Sequence, residues 1–230
     1  MEQILDILKK CEIFRDIPEE MLEECVIPQG VLREIPKEKY LIGYQEQVDS
    51  FAVVLSGNVT THHIFGDGSY TIIEAIEEYE ILGGDLMWTR SRVAPYYAVA
   101  AQPLQLLYFP ICMVTEPGYI PEECRLSIMS RMLTMISHAN IRKEYRLAIL
   151  SQKGLRERIM IYLTMQANKR GTPTFEIPFT REELASFLCV NRSSLSHELS
   201  LMKQEGLLDF RKNRFTLLTE SFAAGQYDCR

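Results

Sequence analysis

The stretch that decides the fold is Phe179–Leu208, which reads FTREELASFLCVNRSSLSHELSLMKQEGLL. Thr180 and Glu183 match a capping box, in which a Thr side chain and a Glu side chain three residues on satisfy the first amides of a helix. The apolar residues that follow at helical spacing predict one buried stripe, and the helix is expected to end near Cys189. The beginning of the stretch therefore predicts a short amphipathic helix.

A second helix is predicted to begin at Arg192, with Asn191 as its N-cap. Its predicted inner face consists of Leu195, Leu199 and Met202. Gly206 is placed to end it as a C-cap glycine does. Two short helices joined by a tight turn predict a helix-turn-helix, in which the N-terminal residues of the second helix meet the base edges of DNA.

Residues 209–217 predict two short strands around a basic turn, which is the wing of a winged helix. Arg and Ser side chains can bind base edges, and Lys side chains suit phosphates. The predicted DNA-binding residues are Thr180, Arg181, Arg192, Ser193, Ser194, Ser196, His197, Lys203, Arg211 and Lys212. Arg214 would also face the DNA backbone. The simpler alternative is a helical hairpin with Arg192 and His197 on a solvated face.

Several segments, in order and spacing, resemble the cAMP receptor protein / fumarate-nitrate-reduction regulator (Crp/Fnr) family of bacterial transcription factors. Leu8–Phe14 and Ile17–Leu22 look like the opening helices of the family. Phe51–Val59 is similar to its most recognisable β-roll strand, and Leu155–Ile159 resembles the segment that opens its DNA-binding domain. The resemblance covers nearly all of the chain. His197 stands where the family commonly has a guanine-reading arginine, so the operator half-site is expected to differ from the usual ones.

The resemblance implies an α+β fold: an N-terminal β-roll like a cyclic-nucleotide-binding jelly roll, a long dimerisation helix and a C-terminal winged helix-turn-helix. The expected boundaries are 1–120 for the effector-binding β-roll, 121–151 for the dimerisation helix, 152–218 for the DNA-binding domain and 219–230 for a tail. The local pattern agrees with this order, because short strands and turns run from about Gly30 to Pro110. Phe65–Ser69 is a hairpin signal. Gln152–Gly154 is the predicted hinge.

Pro121 followed by two acidic residues predicts the start of a long helix. Its apolar residues recur at a 3–4 spacing that predicts a dimerising coiled coil, with two polar breaks. The predicted seam is Leu126, Met129, Leu133, Ile136, Asn140, Lys143, Leu147 and Leu150. Asn140 would occupy an a-type position, where a polar residue fixes the register. The alternative is a helix that packs only on its own β-roll.

The phosphate-binding cassette of the family's cyclic-nucleotide sensors is altered in this sequence. Gly84 stands at the position of the family's ribose-binding Glu, unless Asp85 substitutes, and Ala94 stands at the position of its phosphate-binding Arg. The effector is therefore expected to be a small molecule other than cAMP, bound by a ring-rich region. The predicted effector-binding residues are Gly83, Gly84, Asp85, Trp88, Arg90, Arg92, Tyr96, Tyr97, Arg131 and His138. The alternative is that these aromatic residues are ordinary β-roll core.

The net charge of −6 over 230 residues first argues against a DNA-binding protein. The charge is unevenly distributed, however. Residues 1–147 carry 13 basic and 22 acidic side chains, whereas residues 148–218 carry 11 basic and 7 acidic side chains. The affinity for phosphate is therefore expected to lie in the C-terminal part.

The six cysteines are scattered without a C-x-x-C motif, so neither an iron–sulfur cluster nor a zinc site is predicted. His62 and His63 are adjacent on a predicted strand, where they point to opposite faces and do not easily share one ion. No cofactor, catalytic residue or enzyme activity is predicted. Dispersed cysteines and the lack of a signal peptide or a membrane-spanning run favour the cytoplasm.

The predicted function is an effector-responsive regulator that binds a palindromic operator as a homodimer. Its partners would be double-stranded DNA, a second copy of the chain and, for an activator, RNA polymerase. Two alternatives remain open. The first is a constitutive DNA-binding protein with a purely structural β-roll, and the second is a redox sensor that acts through Cys11, Cys25 or Cys124.

Overall fold

The computed structural model describes residues 2–218, with side chains from Ile4 onward. The predicted tail, 219–230, lies outside the described residues, as does Cys229. Contacts divide the chain into two compact units, Met1–Ser137 and His138–Arg230. The division falls inside the long helix, so this helix contributes residues to both units. The separate dimerisation segment expected at 121–151 stays a prediction.

The first unit opens with short helical segments, as the sequence predicts. These are α1 (Glu2–Leu8), a 3-10 turn (Glu12–Phe14), α2 (Glu19–Met21), a π turn (Leu22–Val26) and a second 3-10 turn (Ile27–Gln29). Their apolar side chains are buried in the core of the β-roll. Phe14 contacts Phe109 edge to face at 5.6 Å, and Phe109 in turn stacks on Phe51 at 5.4 Å. The opening helices are therefore part of the same hydrophobic core as the strands.

Eight strands form the β-roll as two four-stranded antiparallel sheets, ordered β1-β8-β3-β6 and β2-β7-β4-β5. The strands are β1 (Val31–Ile35), β2 (Tyr40–Ile42), β3 (Ser50–Ser56), β4 (Val59–Ile64), β5 (Tyr70–Ile76), β6 (Ile81–Leu82), β7 (Tyr97–Ala100) and β8 (Leu104–Pro110). The predicted hairpin is confirmed, because the Phe65 amide donates to the Ser69 carbonyl at 2.8 Å between β4 and β5.

Gly57 makes the tight turn between β3 and β4. Its φ of +86° lies in the left-handed region, and a Cβ there would lie 2.7 Å from Leu104 Cβ. Only glycine fits both constraints without a backbone shift. This explains the glycine at position 57 within the Phe51–Val59 motif.

A short helix, α3 (Cys112–Thr115), leads to the long helix α4 (Glu122–Ser151). Residues Cys124, Ile128 and Met132 bury one face of α4 in the β-roll core. The a-type residues of the predicted seam lie on another face and stay exposed: Leu126 is 52%, Leu133 is 68% and Leu147 is 62% exposed. The helix therefore packs on its own β-roll and also leaves an apolar face uncovered.

The second unit is a winged helix-turn-helix. After the end of α4 it contains α5 (Leu155–Arg170), β9 (Thr174–Glu176), α6 (Arg181–Phe187), α7 (Arg192–Gln204), β10 (Leu208–Arg211) and β11 (Arg214–Leu217). The three strands form a sheet ordered β10-β11-β9. The core includes Ile159, Leu163 and Phe215, which are completely buried. The two units together confirm the predicted α+β fold.

Candidate nucleic-acid interface

Helix α6 begins with the predicted capping box. The Glu183 amide donates to Thr180 Oγ1 at 3.3 Å, and the Thr180 amide donates to Glu183 Oε2 at 2.7 Å. Leu184, Phe187 and Leu188 are buried, as their spacing predicts. The cap and the buried stripe fix the orientation of α6 and therefore the position of the turn that follows.

The turn between α6 and α7 is only partly as predicted. Cys189 adopts a left-handed conformation with φ +56°, and the Val190 amide donates to the Ala185 carbonyl at 3.0 Å. Asn191 occupies the N-cap position with extended backbone, as expected. The N-cap position of Asn191 is therefore confirmed, although within the described residues its side chain makes no cap hydrogen bond.

Helix α7 presents its N-terminal turn to solvent. Leu195, Leu199 and Met202 are completely buried, which fixes the rotation of the helix. Arg192, Ser193, Ser194 and His197 are exposed, and Ser196 is half-buried. Gly206 follows the helix with φ +74°, and the Leu207 amide donates back to the Met202 carbonyl at 3.0 Å. This C-terminal closure is the glycine-dependent one that the sequence predicts.

An ion pair that the sequence analysis missed holds α7 against α5. Arg156 donates from Nε to Glu198 at 2.6 Å and from Nη1 and Nη2 to the two oxygens of Glu205 at 2.6 and 3.0 Å. Hydrogen bonds to Glu205 and then Glu198 raise the pKa of Arg156 above its usual value. The signal for this clamp was the seven-residue spacing of two carboxylates, which places them on one side of α7.

A second arginine of α5 joins the hinge to the helix-turn-helix. Arg158 donates from Nε to the Gln152 carbonyl at 2.8 Å and from Nη1 to the Leu188 carbonyl at 3.2 Å. Arg146 of α4 also lies over the Phe187 ring at 5.0 Å. The chain does break between α4 and α5 at the predicted hinge, but the hinge residue Gln152 is tied into the DNA-binding unit.

The wing is a hairpin with a two-residue turn, Lys212–Asn213, between the paired residues Arg211 and Arg214. These four side chains are exposed. Lys203 of α7 forms an ion pair with Asp209 at 2.5 Å, and its hydrogen bond holds the pKa of that carboxyl below the usual value. The wing therefore presents three exposed cations, Arg211, Lys212 and Arg214. The Lys203–Asp209 pair joins its first strand to the C-terminal part of α7.

The first two predicted DNA-binding residues differ in their surroundings. Thr180 is exposed beside its capping partner. Arg181 is half-buried, and its guanidinium lies over the rings of Phe210 and Phe215 of the wing. The structure thus gathers the predicted residues on one unit, with Arg181 packed more deeply than the others.

The loop expected to bind the effector lies between β6 and β7. Gly83 is buried with φ +79°, and a Cβ on Gly84 would lie 3.4 Å from Met132 Cε of α4. Tyr96 is buried and donates from its hydroxyl to Asp85 at 2.8 Å. Burial first, and the Asp85 carboxylate second, raise the pKa of this hydroxyl. The loop is closed by its own hydrogen bond and contacts α4.

The other predicted effector residues are dispersed. Trp88 and Arg90 are exposed, and Arg92 lies 3.8 Å from Asp49. Tyr97 stacks with Tyr44 at 6.0 Å and meets Tyr40 edge to face at 5.7 Å. Arg131 forms ion pairs with Glu12 and Asp16, and His138 is exposed on the part of α4 that belongs to the second unit.

A cavity of about 90 Å³ in the first unit is lined by residues of the β2–β3 segment together with Ala52, Leu82 and Tyr108. None of the ten predicted effector residues lines this cavity. Ligand pockets are commonly about 300–1,000 Å³, so this space is small for a drug-sized molecule. The predicted effector residues stay a prediction.

The cysteines differ in their exposure. Cys11 and Cys124 are buried, and Cys189 is exposed. Burial raises the pKa of the Cys11 thiol to about 12 and also raises that of Cys124.

In the part of the chain from residue 2 to residue 218, no group of three or more His, Cys, Asp or Glu side chains is placed to hold a metal ion. Over the same residues, no helix combines the length and apolar character needed to cross a membrane.

Comparison with known proteins agrees with the winged helix-turn-helix of the second unit. Residues 157–221 match the Crp-like helix-turn-helix domain. The transcriptional activator protein FnrL of Cereibacter sphaeroides is 24% identical over 185 residues, which cover 76% of this chain and 71% of FnrL.

Solved structures share the fold at low sequence identity. FixK2 of Bradyrhizobium japonicum is 16% identical with a TM-score of 0.67, over 83% of this chain and 93% of its own. The regulator CLP of Xanthomonas campestris is 14% identical with a TM-score of 0.69, over 86% of this chain and 98% of its own.

A β-roll, a long helix and a winged helix-turn-helix with an exposed N-terminal turn define a DNA-binding transcription regulator. The match of the DNA-binding domain and the similarity to FnrL relate this regulator to Crp/Fnr proteins. The chain has a Crp-like helix-turn-helix domain and shares the fold of FixK2 and CLP.

Proposed function

We propose that this regulator binds a palindromic operator as a homodimer and that a small molecule other than cAMP alters its affinity for DNA. The exposed first turn of α7 is the observation that carries the proposal. It offers Arg192, Ser193, Ser194 and His197 to solvent while the opposite face of the helix is buried. Arg can bind guanine with two hydrogen bonds, and Ser and His can bind several base edges with one.

The charge distribution supports phosphate contacts in the same unit. Three acidic side chains of α7, its C-cap and the wing are already paired with cations: Glu198 and Glu205 bind Arg156, and Asp209 binds Lys203. The wing cations Arg211, Lys212 and Arg214 are exposed and lie on one two-residue turn and its flanks. We assign the phosphate contacts to this wing and to Thr180 and Lys203.

The uncovered apolar face of α4 supports a homodimer. Leu126, Leu133 and Leu147 recur at multiples of seven residues, with Asn140 at the intervening a-type position. Large exposed apolar side chains in a heptad pattern are typical of a two-stranded coiled coil, and a buried Asn at one a-type position fixes its register. A twofold dimer matches a palindromic site whose half-sites are about one DNA turn apart.

The loop that contacts α4 supports effector control. In the cyclic-nucleotide sensors of the family an arginine and a glutamate of this loop grip the ligand, whereas this chain has the buried Ala94 and the Asp85–Tyr96 hydrogen bond. The structural relative CLP is described as c-di-GMP responsive, so the family fold can respond to ligands other than cAMP. We assign the effector to the region of Gly83–Tyr97 next to α4.

The operator is first identified by selection from a randomised duplex library with the full-length protein. Fluorescence anisotropy then measures affinity for the selected duplex. Arg192→Ala is expected to weaken binding by about 1–3 kcal/mol per half-site, which is about 2–6 kcal/mol or roughly 30- to 25,000-fold for the homodimer on a palindrome. Lys37→Ala, which removes an exposed charge from the β-roll, is the matched control and should change affinity little. A non-palindromic selected site, or Arg192→Ala binding as tightly as the wild type, would contradict the proposal.

The effector is tested separately by thermal unfolding of the wild-type protein with cAMP, with c-di-GMP and with aromatic carboxylic acids. We expect a raised midpoint with one of the ligands other than cAMP and a changed affinity for the selected duplex at the same concentration. A large shift with cAMP would contradict our interpretation of Ala94. If no ligand changes either quantity, the result favours the alternative of a constitutive regulator with a structural β-roll.

Two further parts of the proposal follow from the DNA target. The protein acts in the cytoplasm, where operator DNA is located. RNA polymerase is its partner if it is an activator, and transcription in vitro from a promoter that carries the selected site distinguishes activation from repression.

A further inference from the structure

Arg181 has surroundings that do not suit a phosphate contact. Its guanidinium carbon lies 4.8 Å from the ring centre of Phe210 and 5.5 Å from that of Phe215, and both rings belong to the wing. Its Nη2 donates to the carbonyl of Lys212 at 3.2 Å. The first residue of α6 is therefore attached to the sheet and to the turn of the wing.

A second nitrogen of this side chain, Nη1, is not accessible to solvent. Nη1 of Arg181 is buried and has no hydrogen-bond partner among the described residues. Burial, and next the charge of Arg192, lower the pKa of the guanidinium from its usual value. A phosphate on the protein surface cannot reach Nη1, so a two-pronged contact of the guanidinium with the DNA backbone would require the side chain to leave its site.

The wing turn is held from two sides. Lys212 has φ +57°, a conformation that is uncommon for a residue other than glycine. Its carbonyl accepts from Arg181, and the neighbouring Asn213 binds Ile177 by two hydrogen bonds, Nδ2 to the carbonyl at 3.2 Å and the reverse amide-to-carbonyl bond at 3.0 Å. Removal of Arg181 leaves the turn attached on one side only.

We propose that Arg181 is a positioning residue that holds the wing turn where its cations reach the phosphate backbone, rather than a residue that binds phosphate itself. This inference rests on the proposed contact between the wing and DNA. It differs from the prediction made from the sequence, in which Arg181 was one of the residues that bind DNA directly. Arg181 then affects affinity through Arg211, Lys212 and Arg214.

The salt dependence of DNA binding separates the two roles. The slope of log affinity against log salt concentration is negative, and each phosphate contact adds about 0.9 to its magnitude. The changes in this magnitude below are given per subunit, so the homodimer on a palindromic duplex shows twice these values. A direct contact predicts that Arg181→Met lowers the slope by about 0.9 whatever the state of the wing. A positioning role predicts a loss of roughly 2 to 3, close to that of losing all three wing contacts.

The experiment combines Arg181→Met with a wing variant in which Arg211, Lys212 and Arg214 are all replaced by Gln. Slopes are measured by anisotropy on the selected duplex for the wild type, each variant and the combination. We expect Arg181→Met to lower the slope nearly as much as the wing variant does, with no further change in the combination. An equal loss of about 0.9 with and without the wing cations would overturn the inference.

Controls separate failure of the inference from failure of the proposed function. If the wing variant keeps the wild-type slope, the proposed wing contact is wrong. Arg181→Lys keeps the charge but lacks the planar fork of Arg, so a positioning role predicts no recovery of the slope and a direct contact predicts recovery. Phe210→Leu keeps Arg181 and removes one ring. This variant should lower the slope only if the position of the wing determines its phosphate contacts. Thermal unfolding verifies that each variant is folded.

Discussion

Replacement of Leu133 by Ser tests the proposed dimer at the most exposed apolar residue of the seam. Leu133 is 68% exposed on α4, and the other a-type leucines, Leu126 and Leu147, are 52% and 62% exposed. In a coiled coil these side chains would be covered by the same residues of a second copy. The variant removes that apolar contact from both copies at once.

The size of the effect follows from the exposed fraction. Full burial of a leucine side chain stabilises by about 1.5–3 kcal/mol. Because about two-thirds of Leu133 remains to be covered, the loss is about 1–2 kcal/mol per copy and about 2–4 kcal/mol per dimer. The dimer dissociation constant should therefore rise by roughly 30- to 700-fold.

Sedimentation equilibrium measures the dissociation constant, and anisotropy compares binding to a whole palindrome and to one half-site. Leu133→Ser should lose the preference for the palindrome and keep its half-site affinity. Ile141→Ser is the matched control, since Ile141 is 46% exposed on the same helix but lies outside the a and d positions. Equal dissociation constants for the two variants would refute the reasoning.

Three further predictions concern the first unit and the thiols. Gly57→Ala should destabilise the protein by at least about 2 kcal/mol in urea unfolding, since it forces a left-handed backbone and a 2.7 Å contact on the new Cβ. Gly66→Ala, with open space around the new Cβ, should cost less than about 0.5 kcal/mol, and equal losses would contradict the argument. Tyr96→Phe should lower the unfolding free energy by about 0.5–1.5 kcal/mol, because it removes the hydrogen bond to the loop carboxylate; no loss would mean that this bond contributes nothing. Below pH 9 the Cys11 thiol should stay protonated, because its pKa is raised to about 12, and mass spectrometry should find the exposed Cys189 alkylated first; early labelling of Cys11 would favour the redox alternative.

Local signals in the sequence predicted the helix-turn-helix well. The capping box of Thr180 and Glu183 and the closure at Gly206 each depend on residues within a few positions of one another. The buried stripe of α7 depends only on helical periodicity. Such features are determined by the neighbouring sequence, so they could be predicted without knowledge of the tertiary structure.

Contacts between distant residues could not be predicted in the same way. The clamp of Arg156 on Glu205 joins residues 49 positions apart, and the Arg181–Lys212 bond spans 31 positions. A basic residue at the start of α6 is equally compatible with a phosphate contact and with packing on the wing. Only the fold brings Phe210 under that guanidinium.

The long helix shows a third kind of result. Its heptad pattern predicted an apolar face, but the sequence alone offered a dimer and packing on the β-roll as alternatives. The structure shows that Ile128 and Met132 pack on the β-roll while Leu133 stays exposed on another face. The two interpretations therefore concern different faces of one helix.

The most direct test of the central claim is a base-by-base binding profile of the selected operator for the wild type and Arg192→Ala. Each position of a half-site is replaced by the other three base pairs, and affinities are measured at one salt concentration. Readout by the first turn of α7 predicts that the variant loses discrimination of about 1–3 kcal/mol at one base pair in each half-site and keeps it elsewhere. A uniform loss of affinity with an unchanged profile would contradict it.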